Sequence, residues 1–177
     1  VRRSAVEAEH GGAVQVGLGS APLILGTVLV AVVIGAVLAA RVQMTSMPQL
    51  VAILHSFVGA AAVLVGISNH LHSGVPLTGA ELTIHEIETF VGVFIGALTF
   101  TGSIIAWGKL QGVIHSKPLL LPGRHLINLG LVLVSVWLGV VFVGGGASAL
   151  PALLGVTAIA GVVGVHLVMA IGGADMP

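Results

Sequence analysis

The 177 residues include no cysteine, and only 7% of them are charged. Without cysteine there is no disulfide framework, thiolate metal site, iron–sulfur cluster or cysteine nucleophile. Six Lys+Arg balance six Asp+Glu with histidine neutral, so the chain lacks the basic stripe that nucleic-acid binding needs. Soluble domains carry roughly 25% charged residues, and a chain this poor in them has too little polar surface to remain in water as a globule. Disorder is excluded from the other side, because it requires low hydrophobicity and 56% of these residues are hydrophobic. Enzyme motifs are missing too. Gly17-x-Gly19 meets Pro22 where a dinucleotide fingerprint places its third glycine, and His85-Glu86 continues as Ile87-Glu88-Thr89 instead of closing an H-E-x-x-H zinc motif. No Walker loop occurs. Neither a catalytic residue nor a bound metal or cofactor is expected in this chain.

What is present is a series of long apolar runs and 26 glycines, the small residues that close helix packing in lipid uses. A membrane span needs about 20 mostly apolar residues. Five runs qualify: Ala21–Ala40, Leu50–Ser68, Ile87–Gly108, Leu126–Val143 and Leu150–Ile171. They are too long for barrel strands and do not alternate apolar with polar residues. The fold class is therefore all-α, a polytopic transmembrane helix bundle of about five spans. Residues 1–20 form an N-terminal polar segment and 21–177 the transmembrane helical domain.

Punctuation supports these boundaries. Pro48 suits a first helical turn. Thr83-Ile84-His85-Glu86 reads as a capping box with Thr83 as N-cap, and Lys109 stands at the C-terminal end of the same helix, where a cation suits the dipole. Pro118, Pro122 and Gly123 break the segment from Ser116 to Arg124. Gly144-Gly145-Gly146 separates spans four and five, and Gly172-Gly173 ends span five. Five crossings put Arg41, Lys109, Lys117 and Arg124 on one side and leave only Arg2 and Arg3 on the other, so the positive-inside rule makes the first side, with the C-terminus, cytoplasmic. Arg2-Arg3 followed by Glu7, Glu9 and a glycine-rich stretch does not resemble a signal peptide. With no initiator methionine and an end directly after a span, a piece of a longer chain is expected.

Ionisable groups at membrane depth are functional candidates by default. On span three His85, Glu88, Gly92, Gly96, Thr99 and Ser103 follow at steps of three or four, one face over about 27 Å of rise. A packing seam explains Gly92-x-x-x-Gly96 equally well. Span two repeats the pattern with His55, Gly59, Ala62, Gly66 and Asn69, and span four carries Asn128, Ser135 and Gly139 on one face with His125 at its end. Span five offers Thr157, Gly161 and Gly164, with His166 pointing elsewhere. Such faces suggest a hydrated interior path, and an imidazole with a pKa near 6.5 is the side chain best matched to it. His85, with Glu88 one turn on to stabilise its charged form, is the leading proton carrier; interfacial helix capping is the alternative. His55, Asn69 and Asn128 are secondary candidates. His70 and His72 are expected in a solvated loop, as is His115. Asp175, an anion just past a helix C-terminus, opposes the dipole.

Several runs resemble a known family: Met47-Pro48-Gln49-Leu50-Val51-Ala52-Ile53-Leu54-His55-Ser56-Phe57-Val58-Gly59, Phe94-Ile95-Gly96-Ala97-Leu98-Thr99-Phe100-Thr101-Gly102-Ser103, Ser116-Lys117-Pro118-Leu119 and Ile171-Gly172-Gly173-Ala174-Asp175-Met176-Pro177. They are similar to the beta subunit of proton-translocating NAD(P)+ transhydrogenase, from about Arg41 to the end. The resemblance implies a piece of that enzyme's membrane domain, which moves a proton while hydride passes between NAD(H) and NADP(H) on partner domains. It implies a proton-pathway role for His85, followed by Glu88, Phe90 and Gly92 as in the family motif, and for Ser135, with Asp175 coupling to the NADP(H)-binding domain. It also implies the transhydrogenase alpha subunit and NADP-binding domain as partners, a dimer of the complete enzyme, and the bacterial inner membrane as location. Family members continue past Asp-Met-Pro into further helices and a nucleotide domain, so this chain alone is expected neither to bind nucleotide nor to pump. Two other readings of the residues stay open: a cytochrome b-like anchor holding haem between His55 and His125, and a purely structural membrane subunit.

Overall fold

The computed structural model describes residues 2–72 and 77–172, with side chains described for 21–72 and 77–172. Five α-helices carry the chain: α1 (Arg2–Arg41), α2 (Met47–Leu71), α3 (Ala80–Leu110), α4 (Arg124–Val143) and α5 (Ala149–Met169). Single 3-10 turns at Met44–Ser46 and Gly146–Ser148 lead into α2 and α5, and the described residues include no strand. All five helices are long and apolar enough to cross a membrane. The expectation of an all-α, five-span polytopic protein holds.

The chain divides into two compact units, Val1–Met44 and Thr45–Pro177. In the first, α1 shows its apolar side chains on every side over residues 23–38, Leu23 at 73% exposure. Such an apolar surface suits a helix that crosses a membrane.

The second unit is a four-helix arrangement organised by α3, which packs against α2, α4 and α5, while α4 also packs on α5. α3 and α5 run parallel, since Thr101 meets Gly161 and Lys109 meets Val168. Small residues set the spacing. A Cβ on Gly59 of α2 would stand 2.6 Å from the Phe100 backbone nitrogen and 2.7 Å from the Gly96 carbonyl oxygen. Between α3 and α5, a Cβ on Gly164 would collide with Thr101 Oγ1 and the Leu98 carbonyl. With the backbones that close, Thr101 Oγ1 donates across the interface to the Gly161 carbonyl at 2.8 Å. The largest fully buried side chains, Phe142, Leu153, Val93 and Val156, gather where α4 ends and α5 begins.

Three local expectations are corrected. Thr83 is not an N-cap: α3 begins at Ala80 behind Gly79, whose φ of 62° makes the turn into the helix. Thr83 and Glu86 therefore lie within the helix, and Thr83 Oγ1 donates back to the Gly79 carbonyl at 3.4 Å. His70 is not a loop residue, because α2 continues to Leu71. Its ring lies 5.0 Å from that of Phe142, which an apolar contact across the bundle stabilises better than solvent does. The helix of span five ends at Met169, two residues short of Ile171.

Candidate functional site

His85 lies in the second turn of α3, half-buried, and Glu88 is exposed one turn on. Ser135 is buried in the middle of α4, where its hydroxyl donates to the Leu131 carbonyl at 2.8 Å. Two other in-membrane hydroxyls behave alike: Ser56 donates to Ile53 and Thr157 to Leu153, both at 2.7 Å. Each bond satisfies the O–H on its own helix and leaves the oxygen lone pairs free. Asn69 is in the last turn of α2 and exposed. His55 is also exposed and lines a cavity of about 630 Å³ with Met47, Ser103, Leu110, Val168 and Ile171. Asp175 lies outside the described residues.

A second cavity, of about 810 Å³, opens between α2, α3, α4 and α5. Its walls are largely aliphatic, and its polar members are Thr101, Thr157 and His166. The structure therefore brings His166 onto the same cavity as Thr157 and Gly161, where the periodicity of span five set it apart. A groove takes in a wide sector of a helix when its neighbours diverge, so a residue well round the helix still reaches it. Gly164, by contrast, is spent on the contact with α3.

His166 Nδ1 and Asn128 Oδ1 are 2.7 Å apart, joining the last turn of α5 to the second turn of α4. An amide oxygen only accepts, so in this pairing Nδ1 is the donor. Nε2 is buried and has no protein partner. Asn128 and His166 are 38 residues apart, and no local spacing connects them. The only sequence signal for His166 was an ionisable side chain inside an apolar run.

Neither of these two cavities is lined by His85, Glu88 or Ser135. His55 and His125 do not meet in either of these two cavities; His125 accepts from Arg124 Nε at 3.3 Å. The described residues contain no group of three or more His, Cys, Asp or Glu side chains placed to hold a metal.

The other feature that sequence reading placed incompletely is Lys109. It does not merely sit on the C-terminal turn of its own helix. Its side chain is 2% exposed, and Nζ donates to the carbonyls of Val168 and Met169 at 3.0 Å each and to that of Ile171. Close by, the Leu119 backbone nitrogen donates to the Met169 carbonyl at 2.8 Å, and Gln49 Nε2 donates to the Leu110 carbonyl at 3.1 Å.

Comparison with known proteins adds the family context. A family model described as NAD(P) transhydrogenase beta subunit matches residues 4–177. The NAD(P) transhydrogenase subunit beta of Rhodospirillum rubrum is 41% identical over 147 residues, covering 81% of this chain and 31% of the relative. The same subunit from a designated strain of that species matches with the same identity and coverage. The chain spans about a third of the length of the curated relatives it matches.

Proposed function

The chain belongs to the NAD(P) transhydrogenase beta subunit family, and on that footing we propose that it is part of a proton-conducting membrane domain whose proton movement is coupled to hydride transfer elsewhere in the enzyme. Hydride would pass between NAD(H) and NADP(H) on partner domains, the alpha subunit and an NADP-binding domain, in a dimeric enzyme of the bacterial inner membrane. These 177 residues alone would neither bind nucleotide nor pump. The observation that carries the reading is His85, a half-buried imidazole near the start of the helix that packs on three others, in a chain 41% identical to a transhydrogenase beta subunit.

In this mechanism His85 takes a proton from the non-cytoplasmic side, and Glu88 favours its charged form. Ser135, its O–H bonded within α4, presents lone pairs to water that extends the path. Asp175, near the cytoplasmic mouth, responds to the NADP(H)-binding domain. His85 must meet the two sides with different affinities for the proton in different nucleotide states, since a group with one affinity throughout only leaks. The polarity of the arrangement rests on Lys109, Lys117 and Arg124, which cluster in and beside the connection from α3 to α4 and suit the cytoplasmic side.

The test uses the complete enzyme in inverted membrane vesicles, with hydride transfer from NADPH to an NAD analogue and vesicle acidification measured for His85→Ala beside the parent. Loss of both at normal membrane levels is expected. Undiminished turnover and acidification would return His85 to a structural role at the start of α3.

A further inference from the structure

Lys109 takes no part in the proton path proposed above, yet its environment is the most fully specified of any cation among the described residues. A protonated lysine has three N–H donors and no acceptor. Here all three are used on carbonyls, and all three carbonyls lie within one short stretch, Val168 to Ile171, at the end of α5 and just beyond it. That is the negative end of the α5 dipole, so the ammonium is stabilised by both hydrogen bonds and field.

The choice of acceptors matters. A carboxylate partner can follow a moving ammonium by rotating its own side chain. Backbone carbonyls move only with the backbone. Drawing residues 168–171 away from Lys109 would leave a charge short of partners in a nearly closed site. The ammonium thereby ties the last turn of α5 to the end of α3. Two further bonds fix the same junction: Leu119 to Met169, and Gln49 of α2 to Leu110 of α3. From Lys109 to His85 α3 is one uninterrupted helix, about 36 Å of rise, so displacement at one end is carried to the other.

We propose that Lys109 is a positioning residue, a latch that passes rearrangement of the backbone following α5 to α3 and through it to His85. The proposal rests on the proton-coupling function above. It adds a residue on the opposite end of α3 from the proton carrier, and it assigns the link between nucleotide state and proton affinity to one ammonium and three carbonyls.

The experiment takes the complete enzyme in inverted vesicles and compares protons moved per hydride transferred in the parent, Lys109→Gln and Lys109→Arg. Glutamine keeps two N–H donors on a side chain one atom shorter and removes the charge; arginine keeps the charge. A latch predicts that Lys109→Gln still transfers hydride while its proton-to-hydride ratio falls about threefold or more, with recovery in Lys109→Arg. A purely structural lysine would lower enzyme level or thermal stability and leave the ratio alone, and an unchanged ratio overturns the proposal. A second measurement needs no variant. The parent enzyme is treated with a membrane-permeant amine-acylating reagent with and without NADPH, and modification of Lys109 is quantified by mass spectrometry. About a threefold difference between the two states is expected, and equal labelling overturns the latch. Because labelling does not depend on proton movement, a latch that passes while His85→Ala pumps normally would count against the proton role of His85 alone.

Discussion

Gly59→Ala separates close helix packing from mere glycine richness. An added Cβ at Gly59 would lie 2.6 Å from the Phe100 nitrogen, 2.7 Å from the Gly96 oxygen and 3.0 Å from the Phe100 Cα, all backbone atoms of α3. Ordinary contact begins near 3.4 Å, so α2 and α3 must part by about 0.8 Å. No side chain can rotate away to absorb that movement. A gap of 0.5–1 Å forfeits roughly a quarter to a half of each affected dispersion contact, and overpacking of this kind costs about 1–3 kcal/mol. In lipid no hydrophobic term restores the association, because acyl chains are as apolar as the helix faces. Gly92→Ala is the control. It lies on α3, a Cβ there meets nothing within 4 Å, and alanine brings only its better helix propensity of up to about 1 kcal/mol. With a net difference of about 2 kcal/mol, thermal unfolding of the detergent-solubilised full subunit should show Gly59→Ala roughly 4–8 °C below Gly92→Ala. Equal midpoints would refute the close approach of α2 and α3.

Two further substitutions probe the bundle and the polar pair. Phe142→Ala removes a fully buried ring that touches Phe90 and His70, and the cavity it leaves should destabilise the subunit by about 3 kcal/mol, read as loss of folded protein on heating in detergent. Asn128→Leu takes away the acceptor of His166 Nδ1 and leaves both ring nitrogens without a protein partner, which should cost about 1–3 kcal/mol in the same assay. Asn128→Asp, which keeps an oxygen in that place, should be milder than Asn128→Leu; the reverse order would remove the hydrogen bond from the account.

The five spans and the membrane class were legible from the chain because they depend on the length of apolar runs and the scarcity of charge, which are one-dimensional quantities. The resemblance to the transhydrogenase beta subunit was legible for the same reason, being carried by contiguous residues. Residues Gly92 and Gly96 show where that ends. In sequence they are equivalent members of one small-residue face; in the fold Gly96 meets Ala62 and Val63 of α2, while Gly92 opens onto nothing. A helix turning 100° per residue fixes which residues share a face but not which part of that face a neighbour covers.

Long-range polar contacts were out of reach for a related reason. His166 finds Asn128, and Lys109 finds the carbonyls of Val168, Met169 and Ile171, across separations of 38 and about 60 residues. That these side chains had to be satisfied follows from their place in apolar runs, since polar groups inside a membrane are too costly to leave alone. Their partners were chosen by the packing of the helices. That choice depends on the parallel run of α3 beside α5 and the packing of α4 on α5, which the small residues permit but do not encode in any local pattern.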